Sequence, residues 1–117
     1  MSANLTDFLV APTDSIHTAM EKITRNLHRA VIVVDGGVVV GTVSDGDIRR
    51  ALLQEILPIA PVEKIMNINC RTTTETDPER QKAALRREQR TVLPVVNDRN
   101  ELVDIALAFE PFGEEAP

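Results

Sequence analysis

The sequence predicts an α/β fold of two similar halves, each of β-α-β-β-α type, related by a pseudo-twofold axis. Three observations predict it. Short runs of β-branched residues alternate with stretches whose apolar residues recur at helical spacing. The run Ala30-Val31-Ile32-Val33-Val34 is echoed 62 residues later by Val92-Leu93-Pro94-Val95-Val96, and past the turn the offset becomes 63 because the second turn is one residue longer. A unit of about 50 residues buries too little surface to stand alone. The halves should therefore pack as one body, sheets facing each other and helices outside, with a cleft between them.

Taken in order, Phe8, Leu9 and Val10 read as a short extended piece broken by Pro12, and Asp14 or Ser15 offers a helix N-cap. Ile16, Ala19, Met20, Ile23 and Leu27 then form one apolar helical face. Residues 30–34 are β-branched and continuous, hence a buried strand. Asp35-Gly36-Gly37 is a tight hairpin turn and Val38-Val39-Val40 the returning strand. A helix is expected over 47–57, with Ile48, Ala51, Leu52 and Ile56 inward, ended by Pro58 and Pro61. In the second half, Val62, Ile65 and Met66 suggest one helical turn, and residues 71–74 are extended. Asp77-Pro78 starts a polar helix over 78–89, with Ala83, Ala84 and Leu85 its main apolar members. Strands over 92–96 and 102–107 flank the turn Asn97-Asp98-Arg99-Asn100. The expected organisation is 1–57 first unit, 58–69 connector, 70–110 second unit and 111–117 tail or linker. That tail is polar and rich in Pro and Gly, and no second closing helix precedes it, as at a cut near a domain boundary.

Composition narrows the function. The chain has 117 residues, 43% hydrophobic but only 3% aromatic, with no Trp or Tyr. Base-stacking platforms are missing, and the net charge of −5 disfavours a phosphate-backbone partner, so nucleic acid is not expected. No apolar run approaches the roughly 20 residues that span a bilayer, and no signal peptide is read. The single cysteine, Cys70, allows no intrachain disulfide and fits a cytoplasmic location. His17 and His28 lack partners at metal-ligand spacing and are expected to be exposed or capping. No nucleophile–base pair is visible, so catalysis is not expected. The basic residues Arg80, Lys82, Arg86, Arg87 and Arg90, interleaved with Glu79 and Glu88, read as a solvated helix face, the alternative being a contact with a neighbouring catalytic domain.

Chemistry concentrates in Gly41-Thr42-Val43-Ser44-Asp45-Gly46-Asp47-Ile48-Arg49-Arg50. This strand-to-helix turn brings together a hydroxyl, free backbone N–H groups, two carboxylates and two guanidinium groups. Helix N-terminal N–H groups and arginine favour phosphate, and carboxylates accept from ribose hydroxyls. The plainer alternative is a cap, with Ser44 accepting from the N–H of residue 47, and a solvated or ion-paired face for Arg49 and Arg50.

The same residues resemble a family. Gly41 to Asp47 match the cystathionine-β-synthase (CBS) domain pattern of Gly, two apolar residues, Thr or Ser, two variable residues and Asp. Pro61-Val62-Glu63-Lys64-Ile65-Met66-Asn67 looks like the usual link between paired CBS motifs. The resemblance covers about residues 8–110, and it implies a tandem pair, or Bateman module, that binds AMP, ADP or ATP and regulates an attached or partner enzyme. Ser44 and Asp47 then become ribose contacts. Asp45, Gly46, Arg49 and Arg50 complete the nucleotide-binding turn, and Val10, Val31 and Ile32 line the base. The run Ser-Asp-Gly-Asp-Ile-Arg-Arg-Ala-Leu-Leu is similar to CBS pairs attached to sugar-nucleotidyltransferases and sugar-phosphate isomerases, so the chain is expected to be the regulatory part of a longer protein. Similar pairs associate as flat dimers through their helices, so a homodimer is also expected.

The second copy departs from the pattern: Asp104, Leu107 and Glu110 replace its Gly, hydroxyl and Asp. Leucine cannot hydrogen-bond ribose, so at most one nucleotide per chain is expected. The alternative reading is a dimerisation or interaction module without a ligand.

Overall fold

The computed structural model describes residues 5–109. Two antiparallel hairpins carry it. In the first, β2 (Ala30–Asp35) pairs with β3 (Val38–Ser44) across Gly36 and Gly37, whose φ angles of +58° and +86° lie in the left-handed region that glycine tolerates. In the second, β4 (Val92–Val96) pairs with β5 (Leu102–Leu107). Both ladders slip at the same place, between Val33 and Val34 and between Val95 and Val96, so the sequence repeat is also a structural one. β3 runs to Ser44 rather than stopping at Val40, because Gly41 to Ser44 continue to pair with residues 30–33. A Cβ at Gly41 would lie 3.0 Å from the Asn67 carbonyl oxygen and from Met66, so glycine lets the connector press against this strand.

A third strand flanks the first hairpin: β1 (Leu9–Val10) lies parallel to β2, with Leu9 opposite Ile32 and Val10 opposite Val33. Its counterpart over 71–74 shrinks to one bridge, Thr73 to Val95. The Thr73 N–H donates to the Pro94 carbonyl at 3.0 Å, and Thr73 accepts from Val96 N–H at 2.8 Å. The next rung would need an N–H on Pro94, which proline lacks.

The halves meet around a local twofold. Val38 bridges Glu101, its own equivalent in the other hairpin, with Val39 N–H on Asn100 O at 3.0 Å and Leu102 N–H on Gly37 O at 2.9 Å. Equivalent bonds recur at the far end, Asp45 N–H to Arg29 O and Ala108 N–H to Thr91 O, each 3.0 Å. Between the hairpins lies a buried cluster of Phe8, Ile32, Val39, Val92 and Val96. The opposite faces of the strands build two further cores: Val31, Val33 and Val43 with the helices of the first half, and Leu93, Val95 and Ala106 with Leu85.

Helix α1 (Ile16–Asn26) is capped by Ser15, which accepts from Thr18 N–H at 3.0 Å, and buries Ile16, Ala19 and Ile23. Met20 and Leu27, expected inward, are exposed, Leu27 because the helix ends there in left-handed geometry. Helix α2 (Asp45–Leu53) starts and stops earlier than the 47–57 expected. Ser44 is its cap, and Glu55 (φ +66°) turns the chain so that Ile56 N–H bonds back to Ala51 O. Leu52 is exposed rather than inward, while Ile56 packs on the first core. The connector makes only a short turn, Val62–Lys64, and is stitched to the first half by Val62 N–H on Asp14 O and Asn67 N–H on Thr42 O, both 2.8 Å. Helix α3 (Pro78–Glu88) is capped by Asp77 and buries fully only Leu85. Its end is tied to the extended segment before it: Arg71 Nε and Nη2 donate to the two Glu88 carboxylate oxygens at 3.1 and 3.0 Å, and Arg90 Nε donates to the same carboxylate at 3.2 Å.

His28 is neither exposed nor a surface cap. Positive φ at Leu27 and Arg29 turns it inside, where Nδ1 lies 2.6 Å from Asn26 O and Nε2 2.9 Å from Phe109 O. Its ring stacks on Phe109 at 4.0 Å and meets the edge of Phe8 at 5.2 Å. Glu110 and the tail over 111–117 lie outside the described residues.

Leu85→Ala should cost about 2–5 kcal/mol in urea denaturation, since α3 has no other fully buried side chain; a loss below about 1 kcal/mol would show that α3 is not docked. The Arg71 guanidinium bond, then its charge, holds the Glu88 carboxyl below the usual glutamate range, with a smaller push from Arg90. A depressed carboxyl stabilises the fold above its ordinary range, and that contribution is lost as pH falls through the depressed value. The urea midpoint of wild type should therefore exceed that of Glu88→Gln near neutrality and converge with it in acid. A gap that persists or widens in acid contradicts the pairing.

Candidate functional site

The strand-to-helix turn forms one rim of a cleft of about 260 Å³ between the halves. From the first half come Ala30, Val31, Ile32, Thr42, Ser44, Asp47 and Arg50; the connector adds Asn67; and Arg71, Arg90, Val92 and Pro94 form the second-half wall. An adjoining recess of about 270 Å³ shares Ala30, Ser44, Arg90 and Val92 and extends to Arg29 and Thr91.

Ser44 and Asp47 close a reciprocal cap. Ser44 Oγ accepts from Asp47 N–H at 3.2 Å and donates to Asp47 Oδ2 at 3.0 Å, and Ser44 N–H donates to Oδ2 at 2.9 Å. Asp47 Oδ1 accepts from Arg50 Nη2 at 2.7 Å. A carboxylate offers about four acceptor positions. Three are filled among the described residues, so Oδ1 retains one. Capping and ligand binding are therefore compatible: the cap fixes the carboxylate at the rim, and Arg50 offsets its charge.

The other nominated residues divide. Ile32 packs into the cluster between the halves, and Val31 belongs with its side chain to the helix-side core while its strand floors the cleft. Val10 is buried in that same helix-side core, paired with Val33, and is not among the cleft-lining residues. Asp45 is exposed, its N–H on Arg29 O, and does not line the cleft. A Cβ on Gly46 would meet Arg50 Nη1 at 3.3 Å and Arg49 Nη2 at 3.8 Å, so both guanidinium groups lie over the bare first turn. Arg49 is exposed and has no ion-pair partner among the described residues.

The reading of the sequence missed the whole second-half wall. The repeat contained the signal: the offset of 62 makes Val92 the equivalent of Ala30 and Pro94 that of Ile32, so a twofold lays the second strand opposite the first. Arg71 and Arg90 carried no such signal, because their placement depends on the extended segment and the end of α3. Cys70 is half-buried, and burial pushes its thiol up. Among the described residues no group of three or more His, Cys, Asp or Glu is placed to hold a metal, and no helix is long and apolar enough to cross a membrane.

Residues 4–54 match the CBS domain model. An uncharacterized protein of Helicobacter pylori is 31% identical over 100 residues, covering 83% of this chain and 30% of that protein, so the chain spans under a third of that curated relative's length. A CBS domain protein from Pyrobaculum aerophilum, solved in complex with AMP, is 27% identical with a TM-score of 0.67, covering 85% of this chain and 78% of that one. A CBS domain pair solved with 5′-methylthioadenosine and S-adenosyl-L-methionine is 26% identical with a TM-score of 0.67, covering 86% and 84%. Residues 4–54 are thus matched as a CBS domain, and the described body as a whole has the fold of a CBS-domain pair.

Proposed function

We propose that this chain is a regulatory module that binds one adenine nucleotide (AMP, ADP or ATP) in the cleft between its halves and so modulates an attached or partner enzyme. The observation that carries the reading is the Asp47 carboxylate, fixed by its own cap at the cleft rim with one acceptor position open. It lies within the stretch that matches the CBS domain, and a similar domain protein binds AMP. The ribose hydroxyls donate to Asp47 and Ser44, and the base lies along Ala30 to Ile32. Occupancy bridges the halves and shifts the population of module conformations toward the one that closes on the ligand. One site per chain follows from the second copy, where Leu107 stands in place of the hydroxyl and packs against the cluster between the halves. The regulated activity is that of a sugar-nucleotidyltransferase or sugar-phosphate enzyme domain in a longer protein, the module acting as a cytoplasmic homodimer. The resemblance of the run from Ser44 to Leu53 supports the class of enzyme, and the extent of the Helicobacter relative beyond the matched stretch supports the longer protein.

A second reading, an interaction module without a ligand, is favoured by Leu53, Leu57 and Ile59, which are 77%, 66% and 82% exposed.

Calorimetric titration with AMP, ADP and ATP should give micromolar binding near one site per chain, weakened by about tenfold or more in Asp47→Ala. Asp47→Asn, which keeps an oxygen for the cap, should weaken it too. Absence of heat with all three nucleotides, from folded protein, overturns the nucleotide reading in favour of the interaction module.

A further inference from the structure

We infer that His28 is a protonation-dependent clasp: its doubly protonated ring joins the carbonyls of Asn26 and Phe109 and fastens the chain where it leaves the second hairpin, and loss of one ring proton releases Phe109. The device needs no ligand and stands apart from the nucleotide reading.

Hydrogen-bond capacity carries the inference. Both ring nitrogens of His28 face carbonyl oxygens, Nδ1 at 2.6 Å from Asn26 O and Nε2 at 2.9 Å from Phe109 O. A neutral imidazole has one N–H and one lone pair, whereas the imidazolium donates from both nitrogens. A neutral ring therefore serves one carbonyl and turns a lone pair on the other. The ring is fully buried, and a buried nitrogen without a partner is costly, so it gains a water only when Phe109 moves away.

The two contacts are unequal. Asn26 is two residues away in the same turn and is itself fixed: its Oδ1 accepts from His28 N–H at 2.7 Å, and its Nδ2 donates to Asp7 O and Ala30 O at 2.9 and 3.1 Å. Phe109 comes from 81 positions away and is 48% exposed. The residue before it, Ala108, is held by its own N–H on Thr91 O at 3.0 Å. On deprotonation the Asn26 contact stays, and the Phe109 contact gives way beyond Ala108.

The aromatic contact acts in the same direction. The Phe109 ring stacks on His28 with centroids 4.0 Å apart and planes at 23°. An aromatic face attracts a cation within about 6 Å, so Phe109 holds the imidazolium better than the imidazole, and protonation shifts the population toward the clasped form. Among the neighbouring charges, Asp7 is engaged by Arg25 at 3.0 Å. Arg29 and Arg90 line a recess together with His28 and oppose the added charge. Thr91, beside them, is neutral, its Oγ1 donating to His28 O at 2.5 Å. The histidine with a carboxylate neighbour is His17, 3.8 Å from Glu21. The imidazolium of His28 is thus held by two carbonyl dipoles and a ring face rather than by an ion pair.

The test is residue-resolved NMR of the full chain between about pH 5 and 8, following the nitrogen shifts of the His28 ring and the backbone order parameter of Phe109, with His28→Gln for comparison. The ring should carry two N–H groups in acid and one, at Nδ1, above its titration. The Phe109 order parameter should fall from about 0.85 to below about 0.6 with the same midpoint, while Ala106, buried in β5, stays rigid. In His28→Gln, whose fold circular dichroism verifies, the order of Phe109 should not change with pH. A ring that keeps one protonation state across this range, a Phe109 equally ordered in both forms, a Phe109 that follows the titration of His17 instead, or a pH response that survives in His28→Gln would each overturn the clasp. Should the variant not fold, the comparison of midpoints in wild type decides alone.

Discussion

The apolar contact between the two hairpins is what the rest of the molecule depends on. Phe8, Ile32, Val39, Val92 and Val96 are each less than a tenth exposed, and together they hold two sheets that share only a short backbone seam at Val38 and Glu101. Burial of such a side chain is worth about 1.5–3 kcal/mol, so this cluster outweighs the seam's few hydrogen bonds. The cleft opens at the edge of the cluster, where Ile32 and Val92 belong both to the cluster and to the cleft lining. Where β2 and β4 reach Ala30 and Val92, the facing residues become polar or charged, and the halves separate instead of sealing.

A second constraint is local. Ser44 ends a strand and starts a helix, and its cap partner three residues on is an aspartate. Helix capping needs only an acceptor there. The carboxylate also keeps an acceptor position unfilled among the described residues, and it pairs with Arg50 at the cleft rim. The same arrangement therefore stabilises α2 and holds a carboxylate at the cleft rim, so the cap and the proposed binding use one geometry.

Much of this was legible in the sequence. The repeat predicted both hairpins, and the strands over 92–96 and 102–107 fall where expected because turn residues and β-branched runs bound them sharply. Ser44 and Asp47 were legible because a motif and a cap use the same residue types. Val10 illustrates what was not: an aliphatic residue at a strand end serves a core or a cleft equally well, and only its pairing with Val33 decides for the core. His28 was misplaced because burial there depends on two left-handed residues and on ring contacts to Phe8 and Phe109, one of them 81 positions away. Arg90 read as part of a solvated helix face and Arg71 as part of an extended segment, since nothing in the local sequence says that both reach the cleft wall.

A crystal structure of this chain with AMP tests the central claim most directly. The account predicts one nucleotide per chain in the cleft between the halves, with a ribose hydroxyl within hydrogen-bond distance of Asp47 Oδ1. A nucleotide seated elsewhere, or turned so that its ribose faces away from Asp47, would contradict it.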